Sequence, residues 1–496
     1  MNGIDIAVIV AYFVGITLFG CSFYWRKGAN DSREFMEGGG RIPGWALALS
    51  IFATYVSSIS FLALPAKAYL TNFNAFVLSL SIPLSGGIAA WLFVPYYRKV
   101  TSASAYADLE RRFGPWARLY ASGCFLVMQS VRSGMILFLL ALLLKTMFGL
   151  SFATCILVTG VTTIVYSMLG GIKAVVWTDA IQSVILIAGT VVVAVILCCT
   201  LPQGLGSGLS QAWDAGKLSL GSFSLKEWGA ETFWVTFLYG IFLNLQNFGI
   251  DQSYTQRYRA AKSTGAAIRS MFSGAMLYVP VSFGFMLIGT LLWIWSAQHP
   301  GAVPSEVAAR SDAVFPWFIV HRLPVGVSGL LVAAIIAAAM STISGTLNSG
   351  ATVLLEDYLK RFSKSDPTER SKVLFLRLAT VGLGLFSICV ALAVVNVQSV
   401  LTTWWALQSV LSGGMLGLFL LGFFSRRTTS AQAVVATLLG ICTVFWITFA
   451  PKVFGIPPVL HVNLAIVLGT TVLVLSGLLF PCRATLSGVD KVGKIV

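Results

Sequence analysis

Two short polar segments interrupt apolar stretches of this sequence and offer oxygen atoms to a ligand. The first reads ATYVSSIS over residues 53–60, with Pro65 shortly after it, and the second reads AAAMSTISGTLNS over residues 337–349. In the second, residues 338, 341, 342 and 345 share a helix face, as do 341, 344 and 348. Oxygen ligands suit small hard cations such as Na⁺, but small residues also favour close helix packing. An ion site and a packing face are both open interpretations.

A single arginine, Arg132, lies deep in another apolar stretch. It comes 14 residues after Arg118, which corresponds to a helical rise of about 21 Å. The acidic residue well inside an apolar stretch is Asp179, six residues after Lys173 and therefore only about 9 Å deep. We expect Arg132 to bind an anion, because its planar guanidinium suits a carboxylate. The alternative is a structural arginine bonded to the carbonyls of a broken helix.

Asp179 stands in the segment WTDAIQ over residues 177–182. A carboxylate within a membrane helix indicates a cation ligand or a proton carrier, whereas a capping aspartate near a helix end is the simpler interpretation. A further polar interruption includes Asn244, Gln246 and Asn247, followed by Phe248. The sequence contains no P-loop, no CxxC pair and no acid/base set within these stretches, so it favours neither an ATP-driven pump nor an enzyme.

The elements that position these residues are apolar helices. Of the 496 residues, 57% are hydrophobic and only 10% are charged, against about 25% charged in a soluble protein. A membrane helix needs about 20 apolar residues, and the sequence predicts about 13 such spans. Their expected ranges are 4–25, 43–70, 74–97, 117–148, 151–170, 174–201, 231–250, 268–296, 323–357, 373–395, 398–424, 430–450 and 458–480.

The basic residues predict the orientation of these spans. Of the 33 Lys and Arg, 25 fall in alternate loops on one side and six on the other. The positive-inside rule therefore predicts an N-terminus outside and a C-terminus in the cytoplasm. The same asymmetry accounts for the net charge of +15 without a nucleic-acid partner, so the expected surroundings are a lipid bilayer.

Several motifs together resemble the sodium/solute symporter family. They are REFMEGGGR at 33–41, GGI at 170–172 followed by WTDAIQ, and QRYRAAK at 256–262. Within the family the likeness is closest to bacterial sialic acid transporters. The matching segments there are GGGRIPGW at 38–45, FAT at 52–54, SSI at 57–59 and PAKAY at 65–69.

The resemblance implies an all-α polytopic membrane protein with a leucine-transporter-like inverted repeat of five plus five helices. Residues 1–496 would form a single membrane transport domain. In it, an extra N-terminal helix at 4–25 precedes the core at 43–424, and two extra helices follow at 430–480. This arrangement agrees with the 13 spans expected from hydropathy.

The resemblance also implies positions for ligands. A main sodium site would use the carbonyls of Ala53, Val56 and Ala338 and the hydroxyls of Ser341 and Thr342. A second sodium site would use Asp179, Ser341, Ser344 and the neighbouring positions Thr342 and Gly345. Because Gly345 lacks the hydroxyl that the family places there, the second ion stays open. The expected substrate residues are Tyr55, Ser57, Ser60, Ala75, Ser79, Arg132, Gln246 and Phe248.

The resulting expectation is a Na⁺-coupled symporter that imports an acidic sugar, sialic acid (N-acetylneuraminate) or a related sugar acid, by alternating access. It would use one or two Na⁺ and no organic cofactor, as a monomer in the bacterial inner membrane. The alternatives are a neutral sugar or a small carboxylate as substrate. A membrane sensor is a different class of function, and the 16 residues after the last expected span are too few for an output domain.

Overall fold

The computed structural model describes residues 2–23, 31–308, 311–395, 400–455 and 459–479. Over these ranges the chain is helical, and the β structure is limited to a single bridge between Ile42 and Ala261. The ends of the expected spans 4–25, 398–424 and 458–480 lie partly outside the described residues.

Fifteen helices build the membrane region, with short additional helices in the loops. In chain order they are α1 Gly3–Ser22, α2 Gly44–Tyr55, α3 Ile59–Leu70, α4 Phe73–Lys99, α5 Pro115–Phe148, α6 Phe152–Leu169, α7 Gly171–Cys199, α8 Phe233–Ile250, α9 Gln252–Ala260, α10 Thr264–Gln298, α11 Val327–Phe362, α12 Glu369–Ala393, α13 Val400–Phe424, α14 Ser430–Phe454 and α15 Leu464–Leu479.

The number of spans is close to the prediction. In the described part of the chain, 11 helices are long and apolar enough to cross a membrane, and the bent pair of α2 and α3 makes a twelfth. The thirteenth expected span corresponds to α15, whose 16 described residues fall short of the roughly 20 that a full crossing needs. Residues from 480 onwards lie outside the described part.

The predicted break in the second span is confirmed. The axes of α2 and α3 differ by 58°, and Val56 between them is extended, with φ −76° and ψ 131°. Pro65 is not the break point, because it lies within α3 after the π-helical turn Ile59–Ala63. Val56 and Ser57 leave the helix instead, and the Val56 carbonyl accepts a hydrogen bond from the hydroxyl of Thr342 on α11.

One glycine divides the longest apolar run. The helix running from Phe152 to Cys199 changes direction at Gly171, where φ is 58° and ψ is −166°. A Cβ at this position would lie 3.0 Å from the backbone oxygen of Phe35. Only glycine combines that backbone conformation with so close a neighbour, so the run becomes the two spans α6 and α7.

Loops that were predicted on the same side of the membrane do meet. Glu110 bonds with both Arg118 and Arg361, and Lys173 bonds with Glu34. The hydrogen bond from Arg361, with a second from Arg118, lowers the pKa of the Glu110 carboxyl against the opposing effect of burial. These basic loops therefore share one face of the protein, and the orientation of that face towards the cytoplasm remains a prediction from the positive-inside rule.

The centre of the protein is α11, of which 89% of the most apolar stretch is buried, against 33% for α12 and 22% for α1. It packs against α7, α5 and the broken α2. A helix buried on all sides cannot use its hydroxyl and amide groups for contact with water, so they must bond within the protein. The polar segment 337–349 is therefore placed where an ion or substrate would be enclosed.

Candidate binding sites at the broken helix

A pocket lies beside the break between α2 and α3. It encloses about 590 Å³ of space not filled by protein atoms, part of it open to solvent. Six helices besides the broken pair contribute to its wall: α4, α5, α8, α9, α10 and α13. The lining residues are Tyr55, Ser57, Ile59, Ser60, Leu64, Ala75, Leu78, Ser79, Arg132, Leu243, Asn247, Tyr254, Tyr278, Trp404, Trp405 and Gln408.

Arg132 on α5 is the charged group of this pocket. The residue is only 9% exposed. Its Nη2 donates to the carbonyl oxygen of Thr54 at 3.0 Å, and its carbon Cζ lies 6.0 Å from the ring centroid of Trp404. Its Nε is buried without a hydrogen-bond partner among the described residues. One edge of the guanidinium is thus fixed by the broken helix, and the Nε donor is free for an acceptor.

Buried carboxylates are more numerous than the sequence indicated. Besides Asp179, which lies well inside an apolar stretch, Asp251 and Asp357 at the ends of such stretches are also 0–1% exposed. Asp251 lies between α8 and α9 and accepts hydrogen bonds from the side chain of Gln129 and from the backbone of Ser253. Hydropathy missed Asp251 because it falls just past the end of an apolar stretch.

Tyr55 forms one wall of the pocket. Its hydroxyl bonds with Asn244, its ring stacks on Phe248 at 5.5 Å, and it lies 4.3 Å from the ring centroid of Tyr278. Phe248 supports Tyr55 from behind and does not line the pocket. Gln246 is also outside the lining, where its Oε1 accepts from Gln408 at 3.2 Å.

The other expected substrate residues do line the pocket: Ser57, Ser60, Ala75 and Ser79. Sequence reasoning missed the aromatic and amide residues that face them, because a Trp or Tyr in an apolar span reads as ordinary core. Only the close approach of α8, α9, α10 and α13 brings these residues to the pocket. They are Asn247, Tyr254, Tyr278, Trp404, Trp405 and Gln408.

Oxygen atoms of α2 and α11 meet next to the pocket. The hydroxyl of Thr342 lies 3.0 Å from the carbonyl oxygen of Val56 and 3.0 Å from that of Ala338. Ser341, one residue earlier, donates to Asp179 at 2.5 Å. Ala53 lies in the last turn of α2, buried at 3% exposure. The structure thus brings two of the carbonyls expected for the main sodium site, those of Val56 and Ala338, within hydrogen-bonding distance of a third expected ligand, the hydroxyl of Thr342.

Arg257 occupies a different place from the one expected. It was predicted in a loop, but it is fully buried in α9 and its Nη2 pairs with Asp179 at 2.9 Å. Ser50 donates to the same carboxylate at 2.5 Å. Ser344 turns away from Asp179 and donates to the carbonyl of Ser341 at 3.0 Å. The second expected sodium site therefore contains an ion pair formed within the chain.

The comparisons with known proteins agree with this arrangement. Residues 35–440 match the model of the sodium:solute symporter family. The chain belongs to that family. The symporter is 33% identical over 448 residues to the sodium/sialic acid symporter SiaT of Proteus mirabilis (strain HI4320), a match that covers 89% of this chain and 88% of that protein.

Solved structures give the fold of the symporter. The outward-open, substrate-bound structure of a Na⁺-coupled sialic acid symporter superimposes with a TM-score of 0.88 at 30% identity, over 96% of this chain and 97% of that one. Mhp1, a nucleobase-cation-symport-1 family transporter, gives a TM-score of 0.57 at 15% identity over 91% and 94% of the two chains. The second likeness concerns the fold alone. The symporter has the expected leucine-transporter-like architecture.

Proposed function

We propose that the protein imports an anionic sugar, sialic acid (N-acetylneuraminate) or a related sugar acid, together with Na⁺ by alternating access. The observation that carries this proposal is Arg132, which lines the pocket at the break of the helix and whose buried Nε has no hydrogen-bond partner among the described residues. A hydrogen bond between a guanidinium and a carboxylate is stronger than one between neutral groups. The proposal takes its substrate from the sialic acid symporters that the chain resembles.

The rest of the pocket wall suits a sugar. The hydroxyls of Ser57, Ser60 and Ser79 and the amides of Asn247 and Gln408 offer donors and acceptors to sugar hydroxyls. Trp404 and Trp405 offer flat apolar surface to the C–H face of a ring. A wall that combines several placed polar groups with apolar and aromatic surface can both orient a ligand and bury it.

A small carboxylate is the second candidate substrate. The bulky pair of Tyr55 and Tyr278 occupies one side of the pocket, which favours a ligand smaller than a nine-carbon sugar acid. The same Arg132 would hold its carboxylate. A neutral sugar is the third candidate. In that case Arg132 would have a structural role only, and its hydrogen bond to the Thr54 carbonyl is the contact that such a role requires.

For the ion, we place one Na⁺ at the carbonyls of Ala53, Val56 and Ala338 and the hydroxyls of Ser341 and Thr342. Val56 precedes Ser57, which lines the substrate pocket. An ion that binds the Val56 carbonyl therefore stabilises the backbone conformation on which the pocket depends. This shared element couples the two ligands, because each binds more tightly when the other has already fixed the break.

The whole chain would act as one monomeric transport unit in the bacterial inner membrane, with the N-terminus outside and the C-terminus in the cytoplasm. It is a multi-pass membrane protein of a transporter family. We therefore infer transport rather than enzymatic activity or sensing, and Na⁺ as the coupling ion without an organic cofactor.

Thermal unfolding of the purified protein tests the substrate, since a ligand stabilises the folded state that binds it. N-acetylneuraminate, a small monocarboxylate and a neutral sugar are each compared in NaCl and in choline chloride. We expect stabilisation by N-acetylneuraminate in NaCl only. Stabilisation by the neutral sugar alone would overturn the acidic-substrate proposal, and an equal response in choline would overturn sodium coupling.

A further inference from the structure

Asp179 and Arg257 form a closed cluster at the position where a second coupling ion was expected. Both side chains are fully buried. The carboxylate Oδ1 accepts from Ser341 at 2.5 Å, while Oδ2 accepts from Ser50 at 2.5 Å and from Arg257 at 2.9 Å. Each carboxylate oxygen therefore already has a donor from the chain itself.

The guanidinium of Arg257 is fixed by further bonds. Its Nε donates to the hydroxyl of Ser50 at 2.7 Å, and its Nη1 donates to the carbonyl of Ser253 at 2.6 Å. Three of its nitrogens thus hold it against α2, α7 and its own helix α9. A buried arginine that left this position would abandon a buried carboxylate as well, and breaking such a pair is strongly unfavourable.

Gly345 on α11 provides the space for this guanidinium. A Cβ at this position would lie 3.1 Å from Arg257 Nη2, and the three nearest heavy atoms all belong to Arg257. A side chain at 345 would therefore press on the guanidinium, which would have to shift by a few tenths of an ångström. Gly345 therefore has two effects: it offers no hydroxyl to the expected second sodium site, and it leaves room for the guanidinium of Arg257.

We propose that Arg257 replaces the second coupling ion as a permanently tethered cation, so that each anionic substrate moves with a single Na⁺. The ion pair is electrically neutral as it stands. A Na⁺ beside it would add a second positive charge within a buried cluster, where charges repel more strongly than in water. This inference rests on the proposed function, and it fixes the stoichiometry that the sequence left open.

The cluster also acts on the remaining ion through Ser341. Because the Ser341 hydroxyl donates its proton to Asp179, its lone pairs remain free for the Na⁺ that we place beside Thr342. Asp179 and Arg257 are thus positioning residues for the main sodium site. They set the direction of one of its hydroxyl ligands and do not bind the ion themselves.

The net charge transported per cycle decides whether one or two Na⁺ accompany the substrate. Proteoliposomes with an imposed Na⁺ gradient are given radiolabelled N-acetylneuraminate, with and without a potassium diffusion potential. One Na⁺ per singly charged anion predicts uptake that does not respond to voltage, and sodium activation with a Hill coefficient near 1. Voltage-driven uptake with a Hill coefficient near 2 would overturn the single-ion proposal and leave the proposed function standing. Uptake without any need for Na⁺ would overturn both.

Two variants at residue 345 separate an arginine site from an incomplete sodium site. Gly345→Ala adds only the Cβ, and Gly345→Ser adds the Cβ together with the missing hydroxyl. If Arg257 fills the position, both weaken sodium activation by a similar factor of about 3 or more, because both displace the guanidinium. If Na⁺ binds there instead, Gly345→Ser raises sodium affinity relative to Gly345→Ala. That result would contradict the proposal.

Discussion

The hydroxyl of Thr342 lies 3.0 Å from the carbonyl oxygen of Val56, and this contact joins α11 to the break between α2 and α3. Val56 is the residue at which the backbone leaves the helix. Its neighbour Ser57 lines the substrate pocket. This hydrogen bond connects an oxygen of the proposed sodium site to the wall of the pocket within two residues, and the proposed coupling rests on this connection.

Removing the hydroxyls of α11 should weaken sodium activation. We expect Ser341→Ala and Thr342→Ala each to raise the Na⁺ concentration for half-maximal uptake by roughly tenfold, because each removes one oxygen ligand, a loss of about 1.4 kcal/mol. Thr380→Ala is the matched control, since Thr380 on α12 is equally buried but bonds only to its own helix. If the double variant Ser341→Ala/Thr342→Ala showed unchanged sodium activation, the proposed location of the Na⁺ would be wrong.

Arg132→Lys keeps the charge but loses the planar fork. We expect a loss of affinity for N-acetylneuraminate of about tenfold or more, since hydrogen bonds to charged groups contribute about 1.5–3 kcal/mol. Arg132→Ala should lose more, while the protein still inserts and folds. The measurement is competition against labelled substrate.

An analogue with the carboxylate reduced to an alcohol is the control for Arg132. The native protein should bind the acid much better than the alcohol, and Arg132→Ala should largely lose this preference. An equal preference in both proteins would mean that Arg132 serves only the Thr54 carbonyl, and the acidic-substrate proposal would then give way to a neutral sugar.

The ion pair of Asp179 and Arg257 should contribute measurably to the free energy of unfolding. Asp179→Asn leaves a buried guanidinium without its counter-charge, which costs about 3–5 kcal/mol. Asp179→Asn/Arg257→Gln removes both charges and should cost less than the sum of the two single variants. Thermal unfolding of all four proteins gives the interaction energy, and simple additivity would show that the pair contributes nothing as a pair.

Tyr55 should control the size of the substrate. Tyr55→Phe removes the hydrogen bond to Asn244 and should cost about 1 kcal/mol of stability with little change in selectivity. Tyr55→Thr should open the wall opposite Tyr278 and raise the affinity for large sugar acids relative to small carboxylates. Competition by both ligand classes measures this shift, and an unchanged ratio would show that Tyr55 does not limit the pocket.

The orientation in the membrane can be read from exposed loop residues. In a background without the native cysteines, Lys226→Cys and Lys364→Cys both place a thiol at an exposed position. An impermeant maleimide added to intact cells should label residue 226 and should label 364 only after the cells are opened. The reverse pattern would mean that the positive-inside prediction has the wrong sign.

The sequence alone determined which segments are apolar enough to cross the membrane and where one of them breaks, because hydropathy and the interruption at Val56 and Ser57 are properties of a single segment. It could not place Arg257, which pairs with a residue 78 positions away. Nor could it gather Tyr278 and Trp404 at the pocket, since aromatic side chains in apolar spans look alike until the helices pack. Long-range pairing of buried charges and rings depends on how α7, α9, α10, α11 and α13 meet, and only the tertiary structure decided that.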